Sequence, residues 1–255
     1  MIYPFRLLLI AVQFLTILPV PSPRTCTSAD LGRSTVWFPL VGLAIGGLLA
    51  LADQLFGLLF PRLLTDALLV LLATLITGAL HLDGLADVCD GLAARGDKER
   101  FLAVMKDSRV GAVGVVGLVL GLLLKYTALL SLTIYQKTAG LLLFPMVARY
   151  CQVLILAHAT AARNDGLGAC FLNGCGTTQR SLATATVIPL CWLIGGISGL
   201  ITLATAIPLA LGVRIYFSRR LGGISGDIVG FGSELAELAA LLTIIGLHML
   251  SAKVL

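Results

Sequence analysis

Charged residues are scarce in this sequence. Asp, Glu, Lys and Arg make up 12% of its 255 residues, whereas a soluble domain carries about 25%. Hydrophobic residues make up 58% of the chain, and the mean hydropathy is +1.01. A water-soluble domain of this composition would have too little polar surface to remain monomeric, so the lipid bilayer is the expected solvent.

Other signals are missing as well. The six cysteines include no CxxC pair, which argues against a zinc site or a disulfide framework and favours small buried thiols. The first apolar stretch, residues 4–20, runs into Pro19-Val20-Pro21-Ser22-Pro23 and lacks the small-residue cleavage site of a signal peptide. The stretch is also short for a membrane span, so we expect an interfacial or re-entrant helix, or else a short span.

Long apolar runs predict an all-α polytopic bundle that forms a single integral membrane domain, residues 1–255. A span needs about 20 residues. Seven runs qualify, at 36–60, 64–81, 110–134, 140–159, 182–198, 200–218 and 228–250. The fifth and sixth runs are separated mainly by Gly195-Gly196 and Ser198-Gly199, which predicts the turn of a hairpin.

Basic residues predict the orientation of this bundle. With loop 20–35 in the cytoplasm and the spans alternating, the inner loops hold twelve basic residues: Arg24, Arg33, Arg95, Lys98, Arg100, Lys106, Arg109, Arg163, Arg180, Arg214, Arg219 and Arg220. The outer segments hold three, Arg62, Lys137 and Lys253. Because Lys and Arg accumulate on the cytoplasmic side, the long loops 82–109 and 160–181 are expected to face the cytoplasm.

An acidic motif follows the second predicted span. Asp83, Asp87 and Asp90 are spaced by four and three residues, which places them on one face of a helix. Like charges so close repel one another, and a bound Mg²⁺, Mn²⁺ or Ca²⁺ is the simplest counter-charge for such oxygen ligands. The alternative is a solvated helix face outside the bilayer. His81, beside them, could be a ligand, an acid or base, or a hydrogen-bond partner.

A fourth carboxylate precedes the third span. Asp107 lies between Lys106 and Arg109. Carboxylates that hold a metal and cations that neutralise phosphate oxygens are the groups that phosphate chemistry requires. The alternative is that these cations merely follow the cytoplasmic charge bias.

More acids open the last span. Asp227 and Glu234 share a helix face, and Glu234 would lie about 10 Å deeper in the membrane. Carboxylates at such depth, Glu237 included, usually face a polar cavity or a charged partner. Ion pairs with Arg149 or Lys125 are therefore the alternative to a functional role. Together the acids predict one cytoplasmic cavity that holds one or two metal ions.

Three segments closely resemble the cobalamin synthase family, the adenosylcobinamide-GDP ribazoletransferases. They are HLDGLADVCDGL at 81–92, MKDSRVG at 105–111 and LGGISGDIVGFGSELAEL at 221–238. QFLTILPVP at 13–21, WFPLVGLAIG at 37–46 and DGLG at 165–168 extend the resemblance over nearly the whole chain. The DGxxD stretch is also similar to the CDP-alcohol phosphotransferases, but Asp87 replaces the arginine of their DGxxAR motif, so their metal geometry does not carry over.

The resemblance implies a Mg²⁺-dependent phosphotransferase of the cell inner membrane. Such an enzyme takes adenosylcobinamide-GDP and α-ribazole, or its 5′-phosphate, forms adenosylcobalamin, or its 5′-phosphate, and releases GMP. It implies catalytic roles for Asp83, Asp87, Asp107 and Asp227. It implies metal ligation by Asp83, Asp87, Asp90 and Asp107. It implies substrate contacts from His81, Lys106, Arg109 and Glu234.

Two further expectations concern partners and the competing class of protein. No nucleic-acid partner is expected, and a homo-oligomer is compatible with the sequence. A secondary transporter is the alternative function, because transporters use carboxylates near the membrane midplane. The crowding of acids beside Lys and Arg at the inner ends of spans favours phosphate chemistry instead.

Overall fold

The computed structural model describes residues 3–21, 26–94, 96–163 and 167–254. Arg24, Arg95 and Asp165-Gly166, named above, lie outside these residues. The described helices are α1 (Tyr3–Leu15), α2 (Ser28–Ser34), α3 (Phe38–Gly57), α4 (Arg62–Ile76), α5 (Leu80–Ala93), α6 (Lys98–Met105), α7 (Ala112–Ser131), α8 (Ile134–Leu156), α9 (Leu167–Leu172), α10 (Thr177–Leu221) and α11 (Gly226–Val254). A short 3-10 turn, Thr35–Trp37, joins α2 to α3.

The predicted all-α polytopic fold is confirmed. Within the described ranges, five helices are long and apolar enough to cross a membrane, and the bent pair α4–α5 adds a sixth if it counts as one span. The spans are Ser28–Gly57, Ala112–Ser131, Ile134–Leu156, Thr177–Leu221 and Gly226–Ser251. Helix α1 is apolar but shorter than a span, as its sequence predicts.

Helix α10 contains the predicted hairpin. Gly196 has non-helical dihedral angles, φ 55° and ψ −135°. A Cβ atom on Gly199 would lie 2.0 Å from the carbonyl oxygen of Cys191, although residues eight apart in a continuous helix are about 12 Å apart along its axis. The chain therefore turns back at Gly196. The five long apolar helices, the α4–α5 pair and the part of α10 that follows Gly196 together give the seven predicted spans.

Helix α8 forms the centre of the bundle, and 89% of its most apolar window is buried. Its neighbour α3 approaches it through small residues. A Cβ atom on Gly42 would lie 2.5 Å from the carbonyl oxygen of Pro145, and one on Gly46 would lie 2.6 Å from that of Leu141. The Gly42-x3-Gly46 spacing is thus a backbone contact surface, as such spacings commonly are in membranes.

Gly46→Val is expected to lower the melting temperature by several degrees or to abolish folded protein, because overpacking against an immovable backbone costs about 1–3 kcal/mol or more. Gly47→Val is the matched control, since no described atom lies within 4 Å of a Cβ atom there. Both variants carry the same change in helix propensity. Thermal unfolding in detergent, followed by size-exclusion chromatography, checks the prediction, and equal stability of the two variants would contradict it.

A sharp bend separates α4 from α5 and places the acidic motif. Gly78 and Ala79 both adopt left-handed dihedral angles, with φ of 59° and 57°, and the two helices meet at 89°. Glycine tolerates this conformation readily, whereas Ala79 does so only under the constraint of its surroundings. Helix α5 then packs against α7 and α11. Its approach to α11 depends on Gly84, where a Cβ atom would lie 2.5 Å from the carbonyl oxygen of Asp227.

Candidate active site

A cavity of about 200 Å³ lies where α5, α8, α9 and the start of α11 meet, with α1 along one side. Exposed and half-buried residues form its mouth, and these carry the charges of Asp83, Arg163 and Asp227. Fully buried residues form its floor. The lining comprises Phe14, Phe38, Leu80, His81, Asp83, Gln152, Leu156, Arg163, Gly168, Ala169, Phe171, Ser225, Gly226, Asp227, Val229 and Gly230.

The aspartate motif is helical, as its spacing predicts. Asp83 is exposed at the cavity mouth, and Asp87 lies half-buried one turn further along α5. Asp87 is within electrostatic range of Asp83 and of Asp227 across the interface with α11. Three carboxylates thus converge on one region with few cations near them, so a cationic ligand would be stabilised there.

Arg163 is the basic side chain of the cavity mouth. Its guanidinium Nη2 lies 3.0 Å from Oδ2 of Asp227. A short backbone pairing holds the two residues together, because the amide of Ala162 donates to the carbonyl of Ile224 at 3.0 Å. Close contact between Gly168 and the backbone of Gly226 closes the same junction, since a Cβ atom on Gly168 would lie 2.3 Å from the Gly226 amide nitrogen.

Asp90 is engaged elsewhere, although it shares the acidic face of α5. Its two carboxylate oxygens accept the backbone N–H groups of Gly111 and Gly114, each at 2.7 Å. A carboxylate at the first turn of α7 offsets the positive end of that helix. The predicted role of Asp90 as a metal ligand has no support in this geometry, which gives Asp90 the task of joining α5 to α7.

The motif before α7 does not reach the cavity. Asp107 and Arg109 form an exposed ion pair, with 2.7 Å between Oδ2 and Nη2, and Lys106 is exposed beside them. The hydrogen bond from Arg109 lowers the pKa of Asp107 to about 2. Within the described part of the chain, none of these three residues lines the cavity.

The metal prediction is therefore not met by protein groups alone. Across the described ranges, no three His, Cys, Asp or Glu side chains are close enough together to hold a metal ion. The predicted set of Asp83, Asp87, Asp90 and Asp107 is not assembled around one point. The magnesium site stays a prediction, and the carboxylates that line the cavity in the described part of the chain are Asp83 and Asp227.

The deeper acids are ion-paired, which is the structural alternative that the sequence left open. Lys125 Nζ lies 2.7 Å from Oε2 of Glu234 and 2.6 Å from Oε2 of Glu237, and Arg149 also pairs with Glu237. All four side chains are at least 95% buried. Glu234 does not line the cavity described above, so its predicted substrate contact is not supported.

His81 forms a hydrogen bond, one of the three roles left open for it, and its implied substrate contact stays a prediction. It is 4% exposed on the cavity floor. Its Nε2 lies 2.7 Å from the side-chain nitrogen of Gln152, which also donates to Ser233 Oγ at 2.9 Å. This chain of bonds links the cavity floor to the buried ion pairs.

Sequence reasoning missed several residues of the cavity. The sequence shows Arg163 only as one of twelve basic residues on the inner side, and the polar, glycine-containing loop that follows it is equally typical of a turn. Phe14, Phe38 and Phe171 looked like ordinary apolar residues of three separate segments. Only the packing of α1, α3 and α9 brings these rings together.

Comparisons with known proteins agree on one family. A family model described as cobalamin-5-phosphate synthase matches residues 7–245. A protein of Geotalea daltonii named adenosylcobinamide-GDP ribazoletransferase is 52% identical over 95% of this chain and 98% of its own length. Proteins of the same name from Pseudomonas fluorescens and Ectopseudomonas mendocina are 42% and 43% identical, over 91% and 92% of this chain and 96% of each relative. No solved structure gives a significant match.

Proposed function

The chain belongs to the cobalamin-5-phosphate synthase family, and we propose that the cavity between α5, α9 and α11 is the active site of an adenosylcobinamide-GDP ribazoletransferase. The enzyme transfers the adenosylcobinamide-phosphate group from adenosylcobinamide-GDP to α-ribazole or its 5′-phosphate. The products are adenosylcobalamin, or its 5′-phosphate, and GMP. The observation that carries the assignment of the site is the meeting of Asp83, Asp227 and Arg163 at one cavity mouth.

The reaction is a phosphoryl transfer. A hydroxyl of the acceptor attacks the phosphorus on the cobinamide side of the pyrophosphate. This hydroxyl lies on the ribose ring, because the 5′ oxygen of α-ribazole 5′-phosphate carries a phosphate that is retained in the product. The bond from that phosphorus to the bridging oxygen breaks, GMP leaves with the electron pair, and the proton of the attacking hydroxyl is released to solvent. Such reactions depend mainly on positioning and on neutralising charge. Arg163 supplies a planar guanidinium that binds phosphate oxygens in pairs, and Asp227 holds it at the mouth until substrate arrives.

Magnesium fits the donor chemistry of this region. Mg²⁺ prefers oxygen ligands and is often held by one or two carboxylates together with substrate phosphates and waters. In the described part of the chain, no three acids are close enough together to hold an ion by themselves, so the carboxylates of this region suit a metal that completes its shell with pyrophosphate oxygens. Asp83 and Asp87 would hold the ion, with Asp227 facing them. When bound, it would neutralise the pyrophosphate oxygens.

The placement in the cell inner membrane, with the cavity facing the cytoplasm, is supported by the charge bias of the loops. The transporter alternative loses its main support, because Glu234 and Glu237 are locked in ion pairs with Lys125 and Arg149. A coupling carboxylate must exchange its ion during transport, and these two acids are already neutralised by buried partners. A homo-oligomer stays a prediction.

Wild-type protein in liposomes is expected to release GMP and form corrinoid product from adenosylcobinamide-GDP and α-ribazole 5′-phosphate, and chelation of Mg²⁺ is expected to stop both. Metal stabilisation of developing charge is worth several kcal/mol, so the rate without Mg²⁺ should fall by at least a hundredfold. Chromatography of the nucleotide and corrinoid products measures both. Turnover that is unchanged in chelator would remove Mg²⁺ from the proposal, and folded protein without any turnover would contradict the transferase.

A further inference from the structure

Three phenylalanine rings from separate parts of the chain line the cavity. Phe14 comes from α1, Phe38 from the start of α3 and Phe171 from α9. The ring centroids are 4.2 Å apart for Phe14–Phe171, 5.8 Å for Phe38–Phe171 and 6.1 Å for Phe14–Phe38. Phe38 and Phe171 are almost fully buried, whereas Phe14 is half-buried and offers ring surface to a ligand. We call these rings the phenylalanine wall.

Polar groups form the rest of the lining that matters for recognition. The charges of Asp83, Arg163 and Asp227 lie at the mouth. On the floor, His81 and Gln152 are bonded to each other. In the described part of the chain, Gln152 Oε1 is a buried floor atom without a hydrogen-bond partner. The cavity thus combines an apolar wall, one spare buried acceptor and a charged mouth.

This polarity discriminates between the two bases in the reaction. Guanine carries several donors and acceptors along its edge; the one spare acceptor, Gln152 Oε1, could pair with a single donor, and burying the remaining groups against an apolar wall would be costly. The base of α-ribazole is a benzimidazole, a planar bicyclic ring without N–H donors. Such a ring gains from apolar burial and from stacking on phenylalanine.

The volume of the cavity also favours the acceptor over the corrinoid donor. A cavity of about 200 Å³ admits part of a nucleotide but not a corrin macrocycle. We infer that it is the acceptor site, with the benzimidazole against the phenylalanine wall and the ribose hydroxyls at the mouth beside Asp83 and Asp227. The corrinoid donor then brings only its pyrophosphate to the mouth. This inference rests on the proposed function. It also explains the role of the short helix α1, which places Phe14 against the bound acceptor.

Phe14→Leu tests the inference, with Phe56→Leu as its matched control. Phe56 is half-buried and pairs with Phe60, at 6.5 Å between centroids, at the other end of α3. Loss of one ring under the base is expected to raise the KM for α-ribazole 5′-phosphate about tenfold, while the KM for adenosylcobinamide-GDP stays unchanged. The control should leave both constants at wild-type values. An unchanged KM for the acceptor in folded Phe14→Leu would overturn the inference.

Direct binding to the wild-type protein gives a second measurement that needs neither turnover nor a stable variant. In calorimetric titrations, α-ribazole 5′-phosphate is expected to bind on its own, and GMP is expected not to compete with it. Competition by GMP would place guanine in the cavity and overturn the inference. Wild-type protein that binds α-ribazole 5′-phosphate without catalysing transfer would leave the acceptor site standing and refute the proposed function instead.

Discussion

Asp83→Asn and Arg163→Met are each expected to lower kcat/KM for ribazole transfer by about 10²–10³-fold, which is the usual cost of removing one preorganised group that stabilises transition-state charge. Asp83 is the exposed carboxylate at the cavity mouth, and Arg163 is the guanidinium held there by Asp227 at 3.0 Å. Both changes keep the approximate size of the side chain. Steady-state rates of GMP release, with folding checked by size-exclusion chromatography, measure the effect.

The two substitutions should differ in their dependence on metal. Asp83→Asn removes a proposed ligand, so the Mg²⁺ concentration needed for half-maximal rate should rise. Arg163→Met removes a contact with phosphate and should leave that concentration unchanged. Arg163→Lys should fall between wild type and Arg163→Met, because lysine keeps the charge but loses the paired geometry of the guanidinium.

Asp107→Asn provides the control that separates this site from the one that the sequence motifs suggested. Asp107 belongs to an exposed ion pair outside the cavity lining, and exposed pairs contribute little. Its substitution is therefore expected to change kcat/KM by less than about fivefold. If Asp107→Asn were as damaging as Asp83→Asn, the active site would have to include the loop before α7, and the assignment to the cavity alone would be wrong.

Lys125→Met is expected to destabilise the protein by about 3–5 kcal/mol, because removing one partner of a buried ion pair leaves an uncompensated charge. Lys125 contacts both Glu234 and Glu237. Arg149 still neutralises Glu237 in the variant, so the unpaired charge is that of Glu234. For a chain of this length, such a loss corresponds to a fall in melting temperature of roughly 10 °C, measurable by thermal unfolding in detergent.

The double variant Lys125→Met/Glu234→Gln tests the cause of that loss. Once Glu234 is uncharged, no unpaired carboxylate remains at this position, so much of the stability should return. Double-mutant analysis then isolates the interaction between the two side chains. If the double variant were no more stable than Lys125→Met, packing of the lysine stem rather than ion pairing would explain its burial.

The local structural features of the fold could be predicted from the sequence. Apolar runs, the Gly195-Gly196 turn, the Gly42-x3-Gly46 contact surface and the helical face of Asp83, Asp87 and Asp90 are all properties of neighbouring residues. Helix periodicity and the length of a hydrophobic run depend only on residues close together in the sequence, so both can be read without knowing the tertiary structure. The ion pairs of Glu234 and Glu237 were foreseen only as an alternative, since nothing in the sequence says which distant cation faces a buried acid.

The placement of the candidate site residues could be predicted only in part. Asp83 and Asp227 line one cavity, and Asp87 lies within electrostatic range of both, whereas Asp90 and Asp107 lie outside its lining; the catalytic and metal roles stay predictions. Asp90 and Asp83 occupy the same face of α5, yet the bend before α5 and the position of α7 turn one toward helix amides and the other toward the cavity. Asp83 and Asp90 are two helical turns apart on α5, and that distance is enough to give them different neighbours. The spacing of the two residues in the sequence does not show which neighbours those are.

By itself, the sequence determined that this is an α-helical membrane protein with an acidic motif of a recognisable family, because hydrophobic length and a local motif need no knowledge of distant contacts. Only the tertiary structure decided which charges meet. Arg163 and Asp227 are 64 residues apart, and the phenylalanine wall draws on three separate segments. Their convergence depends on close backbone contacts at Gly84 and Gly168, and on the left-handed bend at Gly78-Ala79, which orient whole helices rather than single residues.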